Sequence, residues 1–408
     1  MKCRFCNTEL NAVFIDLNNS PASNSFLKEE ELNEPETFYP LKVYTCHQCF
    51  LVQVDEYKKS DAIFNSDYVY FSSYSSSWLK HAKAYTDTMT SRFGYTGQSL
   101  VIEVASNDGY LLQYFKEKNI PVLGIEPTAN TAKVAVSKGI ESVVDFFGVR
   151  LAKQLVAKNI KADLLLGNNV LAHVPDIVDF VGGMKIILKE KGVVTMEFPH
   201  LMQLVDNNQF DTIYHEHFSY LSFTTVQQVF ASQGLELFDV DEIPTHGGSL
   251  RIYAKHKEDK SKDITPNVAA ILKKEADKGM NSLGYYDNFQ QKALKVKLDL
   301  TDFLIQQKRA GKKVAAYGAA AKGNTLLNYC GIKNDLIDFV VDANPHKQNK
   351  YLPASHIPVV NEQYLKYKQP DFVIILPWNL KDEITAQLSY IKEWKGKFVV
   401  AIPALQII

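Results

Sequence analysis

Short apolar runs closed by small or turn-forming residues recur from residue 100 onward, each followed by a segment of helical character. Residues 100–104, 122–126, 163–169 and 192–200 read as strands, a further strand ends at Asp145-Phe146-Phe147, and a helix opens near Tyr110. Their apolar positions run together rather than alternate, as strands of a parallel sheet covered on both faces require. The rhythm returns at 313–318, 337–342, 372–378 and 398–402, with a helix from about Lys322. Between the two blocks, residues 255–278 are lysine-rich and helix-favouring and mark a boundary. Strand alternating with helix predicts α/β architecture with two Rossmann-like, doubly wound domains, 67–262 and 263–408.

The region before them has a different logic. Four of the five cysteines form two CxxC pairs, Cys3/Cys6 and Cys46/Cys49. Two residues between thiolates let each pair grip one metal from a tight knuckle, so residues 1–66 are expected to be a small domain around a structural Zn2+ held by four thiolates. Too few residues intervene for a core of their own, so the metal is expected to stabilise them. His47 is a bystander in this reading, and Cys330 a buried, inert thiol.

Composition narrows the classes further. The chain has 408 residues, 46% apolar and 22% charged, with a net charge of −1. That is ordinary for a soluble enzyme and lacks the positive excess of a nucleic-acid binder. Met1 to Cys6 lacks the apolar core of a signal peptide, and no apolar run approaches the length of a membrane span. A cytoplasmic protein that engages neither nucleic acid nor membrane is expected, and a monomer, because neither a coiled coil nor an exposed apolar strip is visible.

The chemistry of the first strand-turn-helix, Ala105-Ser106-Asn107-Asp108-Gly109, argues against a dinucleotide. It keeps only Gly109 of a GxGxxG loop and carries Glu103 and Asp108, which repel phosphate. These residues suit a cationic cofactor without phosphate, S-adenosylmethionine. Glu103, Ala105, Asn107 and Gly109 would meet its methionine end and Glu126, with Pro127, its ribose. Asp145, Phe146 and Phe147 would meet adenine, with Asn168 and Asn169 at the tip of the fourth strand. The order fits a class I methyltransferase. Downstream, Tyr214-His215-Glu216-His217-Phe218-Ser219-Tyr220 gathers two imidazoles, a carboxylate and two phenols: acid/base equipment beside the cofactor.

These features resemble the bacterial sugar C-methyltransferases, which methylate carbon 3 of nucleotide-linked 4-keto-6-deoxy sugars. The resemblance runs through the CxxC pairs, Tyr68-Val69-Tyr70-Phe71-Ser72-Ser73, the acidic turn, residues 168–173, Tyr214-His215-Glu216-His217, His246-Gly247-Gly248-Ser249-Leu250-Arg251 and residues 317–325. It implies a zinc-bearing first domain, a central cofactor domain and a related C-terminal domain, with the sugar between the last two. It also implies that His217, Tyr214, Glu216 and His173 line the reaction centre, and that Tyr68 or Tyr70 approaches cofactor and sugar. Methylating a carbon beside a ketone requires an enolate. We therefore assign His217 as the base, poised by Glu216, with Tyr214 and His173 donating to the oxygen on carbon 4. The second turn carries no carboxylate, and Lys322 and Asn324, with Arg251, His346 and Lys347, are candidates for a nucleotide-sugar diphosphate. Alternatives are an O- or N-methyltransferase of a nucleotide sugar, a nonenzymatic zinc-ribbon adaptor, and a nicotinamide dehydrogenase, the last disfavoured by the missing glycines.

Overall fold

In the computed structural model, which describes residues 1–59 and 71–408, the described residues form three sheets. The first is antiparallel: β1 (Ala12–Ser20), β2 (Tyr39–Thr45), β3 (Val52–Val54) and, from far along the chain, β9 (Ser219–Tyr220). The second contains β4 (Val101–Val104), β5 (Val122–Ile125), β6 (Ser142–Val143), β7 (Ala162–Asn168) and β8 (Leu188–Pro199), all parallel. The antiparallel hairpin of β10 (Leu235–Ile243) and β11 (Ser249–His256) completes it, in the order β10-β11-β8-β7-β4-β5-β6. This is the expected methyltransferase sheet. Every residue of β4 is buried, because helices cover both faces of the sheet.

The third sheet runs β14-β13-β12-β15-β16-β17 and is parallel apart from its last strand. Its strands are β12 (Val314–Tyr317), β13 (Val340–Val341), β14 (Val359–Val360), β15 (Phe372–Ile375), β16 (Lys397–Val400) and β17 (Gln406–Ile407). It is a second α/β unit of the expected kind. The expected strand at 337–342 shrinks to two residues.

The N-terminal sheet does not depend on metal alone. Phe14, Ile15, Leu41, Val43, Val52 and Val54 belong to one hydrophobic core with the helix Phe289–Arg309 and the third sheet. That helix buries Phe289, Ala293, Val296, Leu300, Phe303 and Leu304, a spacing of three to four residues that makes a continuous apolar stripe. Phe14 stacks on Phe289 with centroids 4.6 Å apart. Cys3, Cys46 and Cys49, with Leu10 and Leu51, join the separate core under the second sheet. The cysteine cluster therefore sits where two cores meet. Among the described residues, no helix is long and apolar enough to cross a membrane.

Candidate functional site

The four thiols are assembled as their spacing implied. The sulfur atoms all lie within 4.8 Å of one another, with Cys3–Cys49 at 3.6 Å, Cys6–Cys46 at 3.5 Å and Cys6–Cys49 at 3.6 Å. Tetrahedral Zn–S bonds of about 2.3 Å place sulfurs about 3.8 Å apart, so the set fits Zn2+ as its four ligands. Gln53 donates to Cys3 Sγ at 3.2 Å, the outer contact that orients a thiolate. His47 is exposed, and Cys330 is buried with its pKa pushed up to about 12 by burial, which makes it a poor nucleophile.

At the end of β4 the chain turns through left-handed conformations at Ala105 (φ 55°) and Asn107 (φ 50°) before Gly109 (φ 76°). The left-handed φ is what favours glycine at 109, and a Cβ there would also press on the Ile140 side-chain tip and on Ala135. Glu103 is fully buried. Burial, followed by the charges of Asp108, Glu126 and Glu197, holds its pKa well above the usual carboxylate range, against the effect of Tyr110. A cationic ligand relieves that concentration of negative charge and a phosphate aggravates it, so the loop fits S-adenosylmethionine.

Other expected cofactor residues are placed as follows. Glu126 Oε2 accepts from the Asn107 N–H and Oε1 from Thr128 N, each at 2.9 Å, so this carboxylate braces the loop itself. Pro127 follows it at the β5 strand end. Asp145 pairs with Arg150 at 2.6 Å; Phe146 is exposed, and Phe147 packs edge-on against Phe180. Asn107 Oδ1 accepts from Ser72 N at 2.9 Å, which fastens the segment after the aromatic run onto the loop. Tyr68 and Tyr70 lie outside the described residues.

Three of the residues expected at the reaction centre, Tyr214, Glu216 and His217, sit on a β-turn. The His217 N–H donates to the Tyr214 carbonyl at 2.9 Å, so residues 214 and 217 flank the turn and 215 and 216 form its apex. Tyr214 Oη lies 2.8 Å from His217 Nε2, and Thr212 O lies 2.8 Å from His217 Nδ1. A carbonyl only accepts, so Nδ1 carries the proton and the Tyr214 hydroxyl donates to the Nε2 lone pair. His173 stands edge-on to His217 at 4.6 Å. Burial holds His217 well below the usual imidazole range, and the neighbouring His173, His246 and Lys322 add to the effect. Burial lowers His173 to about 4. Two neutral imidazoles thus meet at the end of the sheet, one with its basic nitrogen fixed in place.

The expected pairing of Glu216 with His217 requires correction. Glu216 and His215 are on the far side of the turn, where Glu216 Oε1 accepts from Asn24 Nδ2 at 2.7 Å and His215 Nε2 donates to Pro40 O at 3.2 Å. Thr212, not Glu216, orients the His217 ring, because the apex of the turn faces the N-terminal domain.

Arg251 also differs from expectation. Its Nε and Nη2 donate to Glu197 at 2.7 and 2.6 Å and its guanidinium lies 4.9 Å from the Tyr85 ring centroid, so it is neutralised inside the sheet rather than presented to phosphate. Glu197 also pairs with His81 at 2.7 Å, and His81 stacks under Trp78 at 4.8 Å. Trp78 meets the ring of His246, which in turn lies 2.8 Å from Asn169 Nδ2. The side chain of Asn168 is buried beside this cluster without a hydrogen-bond partner among the described residues.

From the C-terminal domain, Lys322 is half-buried, lies 4.7 Å over the Trp378 ring and donates to Asn379 Oδ1 at 2.7 Å, leaving further N–H donors on its amine. Asn324 donates to the Ser23 carbonyl, Lys347 to the Ala319 carbonyl, and His346 stacks on Phe71 at 5.6 Å. Of the expected diphosphate contacts, Lys322 keeps donors to offer, whereas Arg251 and Asn324 hold the fold together.

Sequence reasoning passed over Glu197, His81, Asp211 and Trp378. Glu197 had a signal, an acid inside an otherwise apolar strand. Asp211, fully buried, accepts from Trp378 Nε1 at 2.7 Å across 167 positions of sequence, which no local pattern encodes. Burial pushes this carboxyl up to about 6 despite Lys322 and Trp378. An acid with a folded pKa above its unfolded one binds its proton more tightly when folded, so its stability contribution is present below about pH 4 and lost as pH rises through about 6. The stability of Asp211→Asn relative to the parent protein is expected to improve by about 2 kcal/mol between pH 4.5 and 7.5, read from denaturant midpoints. A difference that stays flat with pH would rule out a titrating Asp211.

Comparison with known proteins matches three segments of the chain. Residues 3–64 match a family model for a zinc binding domain, residues 80–240 a methyltransferase domain, and residues 244–403 a C-methyltransferase C-terminal domain. The chain is 32% identical to the C-methyltransferase NovU of Streptomyces niveus over 407 residues, covering all of this chain and 96% of that protein. Among solved structures, the PH0226 protein of Pyrococcus horikoshii overlays 46% of the chain and 95% of its own length, at 12% identity and a TM-score of 0.39. The magnesium protoporphyrin IX methyltransferase of Synechocystis overlays 43% of the chain and 78% of its own length, at 12% identity and a TM-score of 0.33.

Proposed function

The chain belongs to the C-methyltransferase family that includes NovU, and from that premise we propose that it methylates carbon 3 of a nucleotide-linked 4-keto-6-deoxy sugar through a base-generated enolate, in branched deoxysugar biosynthesis. The observation that carries this reading is the His217 tautomer: a half-buried, neutral imidazole with Nδ1–H held by Thr212 and Nε2 open to a proton from carbon once the Tyr214 hydroxyl moves aside. Transfer to an oxygen needs no carbon acid to be ionised, so this placement of a base and a phenol is most useful for enolisation.

S-adenosylmethionine, when bound, supplies an electrophilic methyl group on a sulfonium. Glu103, Asn107 and the backbone of residues 105–109 would hold it. His217 Nε2 takes the proton from carbon 3, and the electron pair moves onto the carbon 4 oxygen. Tyr214, released from Nε2, donates to that oxygen as its charge grows, whereas the single N–H of neutral His173 is held by the Glu216 backbone, so His173 packs against His217 rather than donating. Burial limits the access of water, which strengthens each of these hydrogen bonds. Lys322, beside Asp211 and Trp378, would take the sugar diphosphate.

Deuterium exchange from solvent into carbon 3, with S-adenosylhomocysteine in place of the methyl donor, isolates the first step. The parent protein is expected to catalyse exchange, and His217→Ala is not. Methyl transfer to another acceptor with no exchange into any such keto sugar would instead make the protein an O- or N-methyltransferase.

A further inference from the structure

Between β1 and β2 the chain leaves the N-terminal sheet and runs between the catalytic turn and the C-terminal domain. Pro21, Ala22 and Ser23 are buried. Asn324 Nδ2, on the helix after the second small-residue turn, donates to Ser23 O at 2.6 Å. Leu27 and Tyr351 exchange both backbone hydrogen bonds, at 3.0 and 2.8 Å, and Lys347 lies 5.6 Å over the Phe26 ring. The strap is therefore fixed at Ser23, Phe26 and Leu27, and Asn24 stands between these anchors with Nδ2 on Glu216 Oε1.

Glu216 is 4% exposed. Burial pushes the Glu216 carboxyl up, and what opposes burial is first the Asn24 amide, which meets it directly, and then the charges of Lys58 and Lys347 from farther away. The domain that carries the strap also pairs directly with the catalytic segment, because β3 takes β9 as its neighbour with Val52 opposite Tyr220 and Gln53 opposite Ser219. Both apex residues of the turn, His215 and Glu216, face this domain.

We propose that Asn24, contributed by the zinc-binding domain, is a positioning residue that aims Glu216 at a polar substituent of the acceptor, so that the acceptor pocket is built by three domains rather than two. The inference rests on the functional reading above. Glu216 then acts as an acceptor for a sugar hydroxyl or amine next to the reacting carbon, and the amide on the strap sets its direction.

A double-mutant cycle tests the coupling, using Asn24→Ala, Glu216→Gln and the pair, with the nucleotide-linked 4-keto-6-deoxy sugar as probe. Losing a hydrogen bond to a charged group corresponds to a roughly 10–100-fold loss in kcat/KM. Asn24→Ala is expected to lose that much, mainly through acceptor KM, with S-adenosylhomocysteine affinity unchanged, and the pair is expected to be little worse than Glu216→Gln alone. Glu36→Gln serves as a control, since Glu36 holds His356 at 2.6 Å and so docks the same domains away from Glu216; it should leave acceptor KM unchanged. Additive losses in the cycle, or an equal KM effect from Glu36→Gln, would overturn the assignment. Exchange at carbon 3 by the parent protein is scored separately. If it fails, the cycle is run on whichever acceptor the parent protein methylates and still decides the role of Asn24.

Discussion

Replacing His217 with alanine is expected to lower turnover by about 10²–10⁴-fold while leaving S-adenosylhomocysteine affinity intact. The cofactor loop at residues 103–109 and the base occupy separate elements, so the loss should fall on kcat rather than on cofactor binding. The burial that lowers the His217 pKa also fixes the pH behaviour expected of the proposed base. Its pKa lies well below the ordinary imidazole value, so it stays neutral to lower pH than an exposed histidine does. The acid limb of kcat/KM is therefore expected below pH 6.5. A limb centred at or above 6.5 that vanishes in another histidine variant, together with substantial activity in His217→Ala, would remove His217 from the role of base.

Loss of zinc is expected to have the second large effect, and the fold indicates its form. Cys49→Ser, or exhaustive chelation, removes binding energy that in isolated zinc modules reaches about 10–16 kcal/mol. Here the N-terminal sheet is also held by packing against Phe289 and its helix, so complete unfolding is not the expected outcome. Damage should spread along two direct connections instead. Thr225 donates its hydroxyl to the Cys49 carbonyl at 3.1 Å, and β3 supports β9 immediately after the catalytic turn. Metal-depleted protein is expected to show a lower Tm, new proteolytic sensitivity before Ser76, and a loss of methyl transfer that exceeds its loss of cofactor affinity. Zinc content, a thermal melt and turnover measured on one preparation would check this. Unchanged stability and turnover in metal-free protein would show that the four thiols have no structural metal.

The amino-acid sequence determined a good deal by itself. Apolar runs without alternation specified parallel strands covered on both faces, and both α/β sheets form where those runs lie. The two CxxC spacings specified a four-thiolate cluster, because each pair is local and only the approach of one pair to the other depends on the fold. The acidic loop after β4 excluded phosphate through charge alone. The heptad at 214–220 announced acid/base chemistry by composition.

Only the tertiary structure decided how those groups are used. Whether Glu216 or Thr212 orients His217 depends on a single β-turn that places residues 214 and 217 on one side and 215 and 216 on the other. Arg251 looked like a phosphate ligand because it follows two glycines. Strand pairing put it opposite Glu197, and a buried guanidinium is stable there only with that carboxylate. Asn24 with Glu216, and Asp211 with Trp378, are separated by 192 and 167 residues, and contacts at such separations follow from sheet order and domain docking rather than from any local periodicity. Side-chain type and short-range spacing are written in the chain, whereas the partner that neutralises or aims a buried polar group is supplied by whichever distant segment the packed core brings against it.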